Sequence, residues 1–227
     1  MAEEVIKLKT LSEIKHDAIQ KRWILKDKAD YPKICDYLQK INYSINDLKD
    51  EIFCLSKTER KDIVYVISLI DWIIEAFVAC KNAIREVVIE NFSFSKQEEL
   101  NKAYEYFKAL RSFIVAHPLS TNKHKNYGFD GDFICIDIAG WNPVLDTFYP
   151  AKYYYHLDYD GIHNGIKDTS DDIILRSYSG KKDNWRFSRS VTCKMRDIYH
   201  VAELYIDKIQ ELNKYLSRQK KAMYEGK

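Results

Sequence analysis

The sequence predicts a mainly α protein, an up-and-down helical bundle with a small antiparallel β insertion between the second and third long helices. Two observations predict this fold. The 227 residues include only 7 Gly and 4 Pro, and such scarcity disfavours turn-rich β folds. Long stretches also repeat apolar residues at helical spacing, whereas most of the glycines are collected in one internal segment. We therefore expect long helices interrupted once by a different kind of structure.

For residues 1–56 the sequence predicts short helices that pack on the bundle. One is expected to start at Tyr31-Pro32 and another at Asn42-Tyr43-Ser44. The pattern Ser56-Lys57-Thr58-Glu59 has the spacing of a capping box, in which the two side chains satisfy free backbone amides, and it predicts a long helix over 57–91.

A second capping box, Ser95-Lys96-Gln97-Glu98, predicts the start of the second long helix. Its apolar face includes Leu100, Ala103, Phe107, Leu110 and Ile114. We expect it to stop near His117-Pro118, because proline cannot donate a backbone hydrogen bond and disfavours α geometry in the residue before it.

The third long helix is predicted over 189–222 by two interleaved seven-residue repeats. A seam of this kind packs lengthwise on another helix, and we expect that helix to be 57–91, although a dimer could use the same seam. The repeats consist of Val191, Ile198, Tyr205 and Leu212 and, between them, Met195, Ala202, Ile209 and Leu216.

The intervening segment, 119–187, is predicted to be an inserted β-containing module. Residues 133–138, 152–158 and 172–178 are short runs of β-branched and aromatic residues bounded by Gly-containing turns, which is typical of a small antiparallel sheet. The bundle itself then consists of 57–118 and 188–222.

Charge and local composition exclude several classes of protein. The formal net charge of +2 excludes a polybasic protein. The apolar run 63–80 contains Asp71 and Glu75 on one polar stripe, which favours a buried soluble helix over a membrane span. The start, Met1-Ala2-Glu3-Glu4, lacks the features of a secretory signal, so we expect a cytoplasmic protein. The five cysteines form no CxxC pair and are interpreted as reduced thiols.

The residues with the clearest chemical meaning are Arg111 and His117, in the sequence Leu110-Arg111-Ser112-Phe113-Ile114-Val115-Ala116-His117-Pro118. A guanidinium stays charged and presents a planar fork to phosphate oxygens, and an imidazole with an ordinary pKa near 6.5 exchanges protons at neutral pH. Such a pair has the parts needed to cleave RNA without a metal ion. Within one continuous helix the two residues would point about 120° apart, so the proline, or a partner subunit, is needed for them to converge.

This motif, at the end of a long apolar helix, resembles the R-x4-6-H signature of the HEPN superfamily of helical bundles. The resemblance implies a homodimeric, metal-independent endoribonuclease in which Arg111 and His117 are catalytic. Its products would be RNA ends with a 2′,3′-cyclic phosphate and a 5′-hydroxyl. The resemblance also implies a role in toxin–antitoxin, phage-defence or stress RNA turnover. Ser112 stands where the family often has Asn, Asp or His. Some family members are not nucleases, so the alternative is a non-catalytic bundle that binds a partner protein or a nucleotide.

Other residues are candidates for support or RNA contact. Asp71 or Glu75 could form a salt bridge with Arg111 and hold it in position, either as a structural pair or behind the active site. Cations interleaved with aromatic residues are typical of single-stranded RNA contacts, although solvated loops have the same composition. These RNA-binding candidates are Lys123, His124, Lys125, Tyr127, Lys181, Lys182, Trp185, Arg186 and Arg189.

No metal, cofactor or membrane is predicted, and an antitoxin or other regulatory protein is a possible further partner. His156 and His163 are the nearest approach to a metal site, but no other His or Cys lies near them in sequence, and Asp158 and Asp160 are interpreted as strand and turn residues. Arg196 and His200 are four residues apart, off the predicted seam, and are interpreted as a surface pair. A third reading is a helical structural protein with no site at all.

Overall fold

The computed structural model describes residues 8–14, 16–54, 60–116, 133–138, 154–158, 160–165, 173–178 and 187–219. Over these residues the protein is mainly helical, as predicted. The helices are α1 (Leu11–Ile14), α2 (Tyr31–Cys54), α3 (Arg60–Ala83), α4 (Glu86–Ile89), α5 (Gln97–Arg111) and α6 (Met195–Arg218). Two short 3₁₀ turns, Arg22–Ile24 and Lys28–Asp30, precede α2, and a π-helical turn, Ser112–Ala116, follows α5.

The chain divides into two compact units, each described below by itself. The first consists of 1–55, 68–100 and 201–227, and the second of 56–67 and 101–200. The long helices α3, α5 and α6 each contribute residues to both units.

Helix α2 begins at Tyr31, as predicted, but the predicted new start at Asn42-Tyr43-Ser44 is wrong. The helix continues without a break to Cys54. The reason is a continuous apolar face along the helix, which a break at residue 42 would interrupt. The residues of this face are almost completely buried: Ile34, Leu38, Ile41, Ile45 and Leu48.

Helix α3 ends at Ala83, so the predicted continuous helix over 57–91 is too long. The chain is extended at Ile84, which forms an isolated antiparallel bridge with Leu25. On either side of it the backbone N–H of Lys26 donates to the Ala83 carbonyl and that of Arg85 donates to the Ile24 carbonyl, both at 2.9 Å. The Arg85 guanidinium also donates to the carbonyl of Trp23. The two backbone bonds, to a segment about 60 residues earlier, occupy the Ala83 carbonyl and the Arg85 N–H, which a continuing helix would bond within itself.

The second predicted capping box is not formed as expected, although α5 does begin at Gln97. The Ser95 N–H, which the box would pair with Glu98, donates to Glu211 of α6 at 3.0 Å, and the Ser95 hydroxyl donates to the same carboxylate. The predicted apolar face of α5 and the π turn is buried in full. The first capping box, at residues 56–59, lies outside the described residues.

The predicted seam of the last helix is confirmed for seven of its eight members, which lie on α6 and are buried; the eighth, Val191, is buried but is not on the helix. Phe77 of α3 and Tyr205 of α6 meet edge to face with ring centroids 6.1 Å apart, which confirms the expected partner helix for this part of α6. The predicted start at residue 189 is wrong: Val191 belongs to a β-strand, and the helix begins at Met195.

A five-stranded sheet belongs to the second unit. Its strands are β1 (Phe133–Ile138), β2 (Tyr154–Asp158), β3 (Gly161–Gly165), β4 (Ile173–Tyr178) and β5 (Phe187–Cys193), in the spatial order β1-β4-β5-β2-β3. The three predicted strands are present, and β3 and β5 were not predicted. The prediction of a purely antiparallel sheet is wrong for one pair, since β2 and β5 run parallel.

One helical stretch among the described residues, Lys61–Ala83, is long and apolar enough to cross a membrane by length and composition alone. Of its most apolar window, 56% is buried inside the protein, a degree of burial that the core helices of soluble proteins also reach.

Candidate functional site

Arg111 is the last residue of α5 and is half-buried. The helix face that precedes it is fixed in the core through Phe107 and Leu110, both essentially inaccessible to solvent. On its exposed side, Lys108 pairs with Glu105 at 2.8 Å. Its ammonium also lies 5.3 Å from the ring centroid of Tyr104. The backbone of Arg111 is therefore held by a helix whose apolar face is buried in the core.

The residues after Arg111 form a π-helical turn, Ser112–Ala116. Such turns are rare in helices and occur frequently at functional sites. Ser112 is only 7% exposed, and Phe113 and Ile114 are also buried, whereas Val115 is 37% exposed and Ala116 is exposed. Strand β1 lies against the turn. The π turn thus starts in the core at Ser112 and reaches the protein surface at Val115 and Ala116.

His117 follows Ala116 directly in the chain and lies outside the described residues, so its catalytic assignment stays a prediction. The same applies to the RNA-binding candidates of the two predicted loops: Lys123, His124, Lys125, Tyr127, Lys181, Lys182, Trp185 and Arg186. Arg189 lies in β5, at the register position opposite Ser177 of β4.

The carboxylates predicted to support Arg111 both lie on α3. Asp71 is half-buried and Glu75 is exposed, which agrees with the predicted polar stripe of this otherwise apolar helix. They belong to the first compact unit and Arg111 to the second. Their pairing with Arg111 stays a prediction.

The surface pair is placed as expected: Arg196 is exposed and His200 half-buried on the first turns of α6. Among the side chains that the structure describes, no three His, Cys, Asp or Glu are grouped so that they could hold a metal ion.

Lys208 of α6 is an unusual residue that the sequence did not reveal. Its ammonium donates to Gln97 Oε1 at 2.9 Å and lies 5.9 Å and 5.7 Å from the ring centroids of Phe77 and Phe94. Burial, and then the charge of Lys81, lowers the pKa of Lys208 to about 8. The only sequence signal is that residue 208 directly precedes a seam position, Ile209, which predicts partial burial.

Comparison with family models, with curated proteins and with solved structures finds no match to this chain.

Proposed function

We propose that this protein is a homodimeric, metal-independent endoribonuclease of the HEPN type, with Arg111 and His117 as its catalytic residues. The observation that supports the proposal is the position of the motif. Arg111 ends a rigid, core-packed helix, and a π turn then leads from buried Ser112 to exposed Ala116, the residue before His117. A cation fixed by the core next to a surface-reaching segment suits a site that must bind and release a polymer.

The proposed reaction is a transesterification at phosphorus. His117 accepts the proton of the ribose 2′-hydroxyl, the 2′-oxygen attacks the phosphorus, and the bond from phosphorus to the 5′-oxygen breaks. Arg111 binds the phosphate oxygens and stabilises the charge that develops on them. The 5′-oxygen takes up a proton as it leaves, and the products are a 2′,3′-cyclic phosphate and a 5′-hydroxyl. A second copy of the motif, across a dimer interface, supplies the other proton-transfer group.

The test is cleavage of a labelled single-stranded RNA in EDTA, with product ends identified by mass spectrometry. We expect cyclic phosphate ends with the wild type and loss of cleavage in Arg111→Ala and His117→Ala. The matched controls are Arg196→Ala and His200→Ala, which remove the same two residue types from α6 and should leave cleavage unchanged. An RNA with a single 2′-deoxy position should resist cleavage at that position, because it lacks the attacking oxygen. Cleavage by both motif variants at the wild-type rate overturns the proposal.

The alternative function, a non-catalytic bundle that binds a protein or nucleotide, is favoured by one observation: Arg111 is half-buried and already interacts with other residues of the chain. If Arg111 has only a structural role, Arg111→Ala should lower the melting temperature, and the wild type should show no RNA cleavage. If the wild type is a folded dimer without cleavage activity, the binding function is the better account. As a nuclease, the protein would act in toxin–antitoxin, phage-defence or stress RNA turnover, with an antitoxin or another regulatory protein as a further partner.

A further inference from the structure

Lys208 of α6 places its amine against the apolar core of the first unit. The nitrogen lies 5.9 Å and 5.7 Å from the ring centroids of Phe77 and Phe94, two side chains that are almost completely buried. It donates a hydrogen bond to Gln97 Oε1 at 2.9 Å, and all four residues belong to the same compact unit. Because Lys208 is half-buried, water solvates its side chain only in part.

The carboxylates nearest to Lys208 along α6 are engaged with other groups. Asp207 pairs with Lys96 at 2.9 Å. Glu211 accepts hydrogen bonds from the backbone N–H and the hydroxyl of Ser95. Within the part of the chain that the structure describes, no carboxylate forms an ion pair with Lys208. The charge of its ammonium is therefore not neutralised by any of these carboxylates.

A second cation belongs to the same surface. Lys81 follows Phe77 by four residues on α3, so the two side chains lie on one face of that helix. Phe77 is also one of the two rings beside the Lys208 amine. Burial, and then the charge of Lys81, lowers the pKa of Lys208 to about 8. These two effects outweigh the attraction of the rings for an ammonium, so about half of the amine is neutral at pH 8.

We propose that Lys208 is a modification site for carbon dioxide, which it binds reversibly as a carbamate whose charge Lys81 stabilises. A lysine that apolar groups desolvate, or that lies beside another cation, is an activated nucleophile. The neutral amine attacks the carbon of CO₂, a C–N bond forms, the electron pair of one C–O π bond moves to oxygen, and the nitrogen releases one proton to water. The product carries a negative charge in place of a positive one, so the repulsion by Lys81 becomes an attraction.

The surroundings of the amine favour CO₂ over a larger electrophile. CO₂ adds only one carbon and two oxygens to a nitrogen that lies beside two core-packed rings. Gln97 can serve both states of the site, because its amide carries an acceptor oxygen and a donor NH₂ group. The oxygen accepts from the amine in the structure, and the NH₂ group of a rotated amide would donate to a carbamate oxygen. The proposal does not depend on the nuclease function.

The experiment is chemical trapping of carbamates in the full-length protein at pH 8, with ¹³C-labelled bicarbonate as the source of CO₂. Triethyloxonium tetrafluoroborate converts a carbamate into a stable ethyl ester, and peptide mass spectrometry locates the ester. We expect an occupancy at Lys208 at least about tenfold that at Lys214, which is exposed on the same helix. A pKa lowered from 10.5 to about 8 gives roughly a hundredfold more neutral amine at this pH, and the lower basicity of the nitrogen offsets part of that gain.

Three variants test the site further. Lys81→Gln should lower the occupancy at Lys208 by about two- to fivefold, the contribution of a partly exposed ion pair. Bicarbonate should raise the melting temperature of the wild type, relative to chloride at the same ionic strength, because CO₂ binds the folded state. Lys208→Arg, which keeps the positive charge but has no neutral amine, should lose this increase, whereas the matched control Lys214→Arg should keep it.

Far-UV circular dichroism checks that each variant is folded, and Lys208→Gln replaces Lys208→Arg if that variant unfolds. Equal occupancy at Lys208 and Lys214 overturns the proposal. A bicarbonate effect on the melting temperature that persists in Lys208→Arg overturns it as well.

Discussion

Asn213 of α6 accepts a hydrogen bond from the backbone N–H of Ala18 at 2.9 Å, inside the core of the first unit. Asn213 is only 5% exposed, so its amide satisfies a backbone donor that water cannot reach. This bond ties the N-terminal segment to the last helix, across 195 residues of sequence.

The first prediction concerns this bond. Asn213→Ala should lower the free energy of unfolding by about 1–3 kcal/mol, because the Ala18 N–H is left buried without an acceptor. Urea denaturation followed by circular dichroism measures the change. Asn46→Ala is the control: Asn46 is exposed on α2, and its replacement should change stability by less than about 0.5 kcal/mol. Equal effects of the two substitutions would show that the buried bond contributes nothing.

The second prediction separates charge from geometry at Arg111. Arg111→Lys keeps the positive charge but loses the planar fork that contacts two phosphate oxygens at once. We expect the cleavage rate to fall by about a hundredfold, comparable to the loss of one transition-state donor. The measurement is single-turnover RNA cleavage in EDTA. Lys108→Arg, one turn earlier on the same helix, is the control and should cleave at the wild-type rate; full activity in Arg111→Lys would contradict a bidentate role.

The parts of the fold that the sequence predicts are those governed by local periodicity. The seam of α6 could be predicted because Ile198, Tyr205 and Leu212 recur every seven residues, and each is buried. The errors arise where distant residues compete with local signals. Ile84 leaves the helix to pair with Leu25, and Ser95 donates to Glu211 instead of forming its capping box. No local pattern contains those partners.

Around the candidate site, too, local patterns were predictable from the sequence and contacts between distant residues were not. Arg111 could be placed near a helix end because His117-Pro118 predicts a stop; α5 ends at Arg111 and a π turn continues to Ala116, while the predicted stop itself lies outside the described residues. The pairing of β3 with β2 could not be predicted, since β3 was not recognised and the register of a hairpin depends on where its turn lies. The pKa of Lys208 depends on Lys81 and on burial among two phenylalanines, all of them distant in sequence.

The third prediction concerns thiol reactivity. Burial, with a smaller effect from Cys35, raises the pKa of Cys80 to about 12, and the residue is 1% exposed. Because the thiolate is the reactive form, native Cys80 should react with iodoacetamide at pH 8 at least about a hundredfold more slowly than half-buried Cys35. Peptide mass spectrometry at timed intervals gives both rates. In urea the two cysteines should react equally, which controls for sequence effects; similar native rates would contradict the burial of Cys80.

The fourth prediction is a pH dependence of stability that originates at Lys208. Its pKa is about 8 in the folded protein, against an ordinary value of 10.5. Between these values the unfolded chain binds more protons than the folded one, so this residue makes the free energy of unfolding rise with pH. Below pH 8 the ammonium is charged in both states, and the cost of its burial beside Lys81 is fully present.

The test compares the free energy of unfolding of the wild type with that of Lys208→Met, which has no charge to bury. Measured by urea denaturation, the stability of the variant relative to the wild type should be highest near pH 7 and should fall steadily by pH 10, as wild-type Lys208 loses its proton. Lys214→Met is the matched control: Lys214 is exposed on the same helix, and its replacement should give a stability difference that does not vary over this range. Parallel curves for the wild type and Lys208→Met would mean that the Lys208 ammonium is as well solvated as that of Lys214, against its position between Phe77 and Phe94.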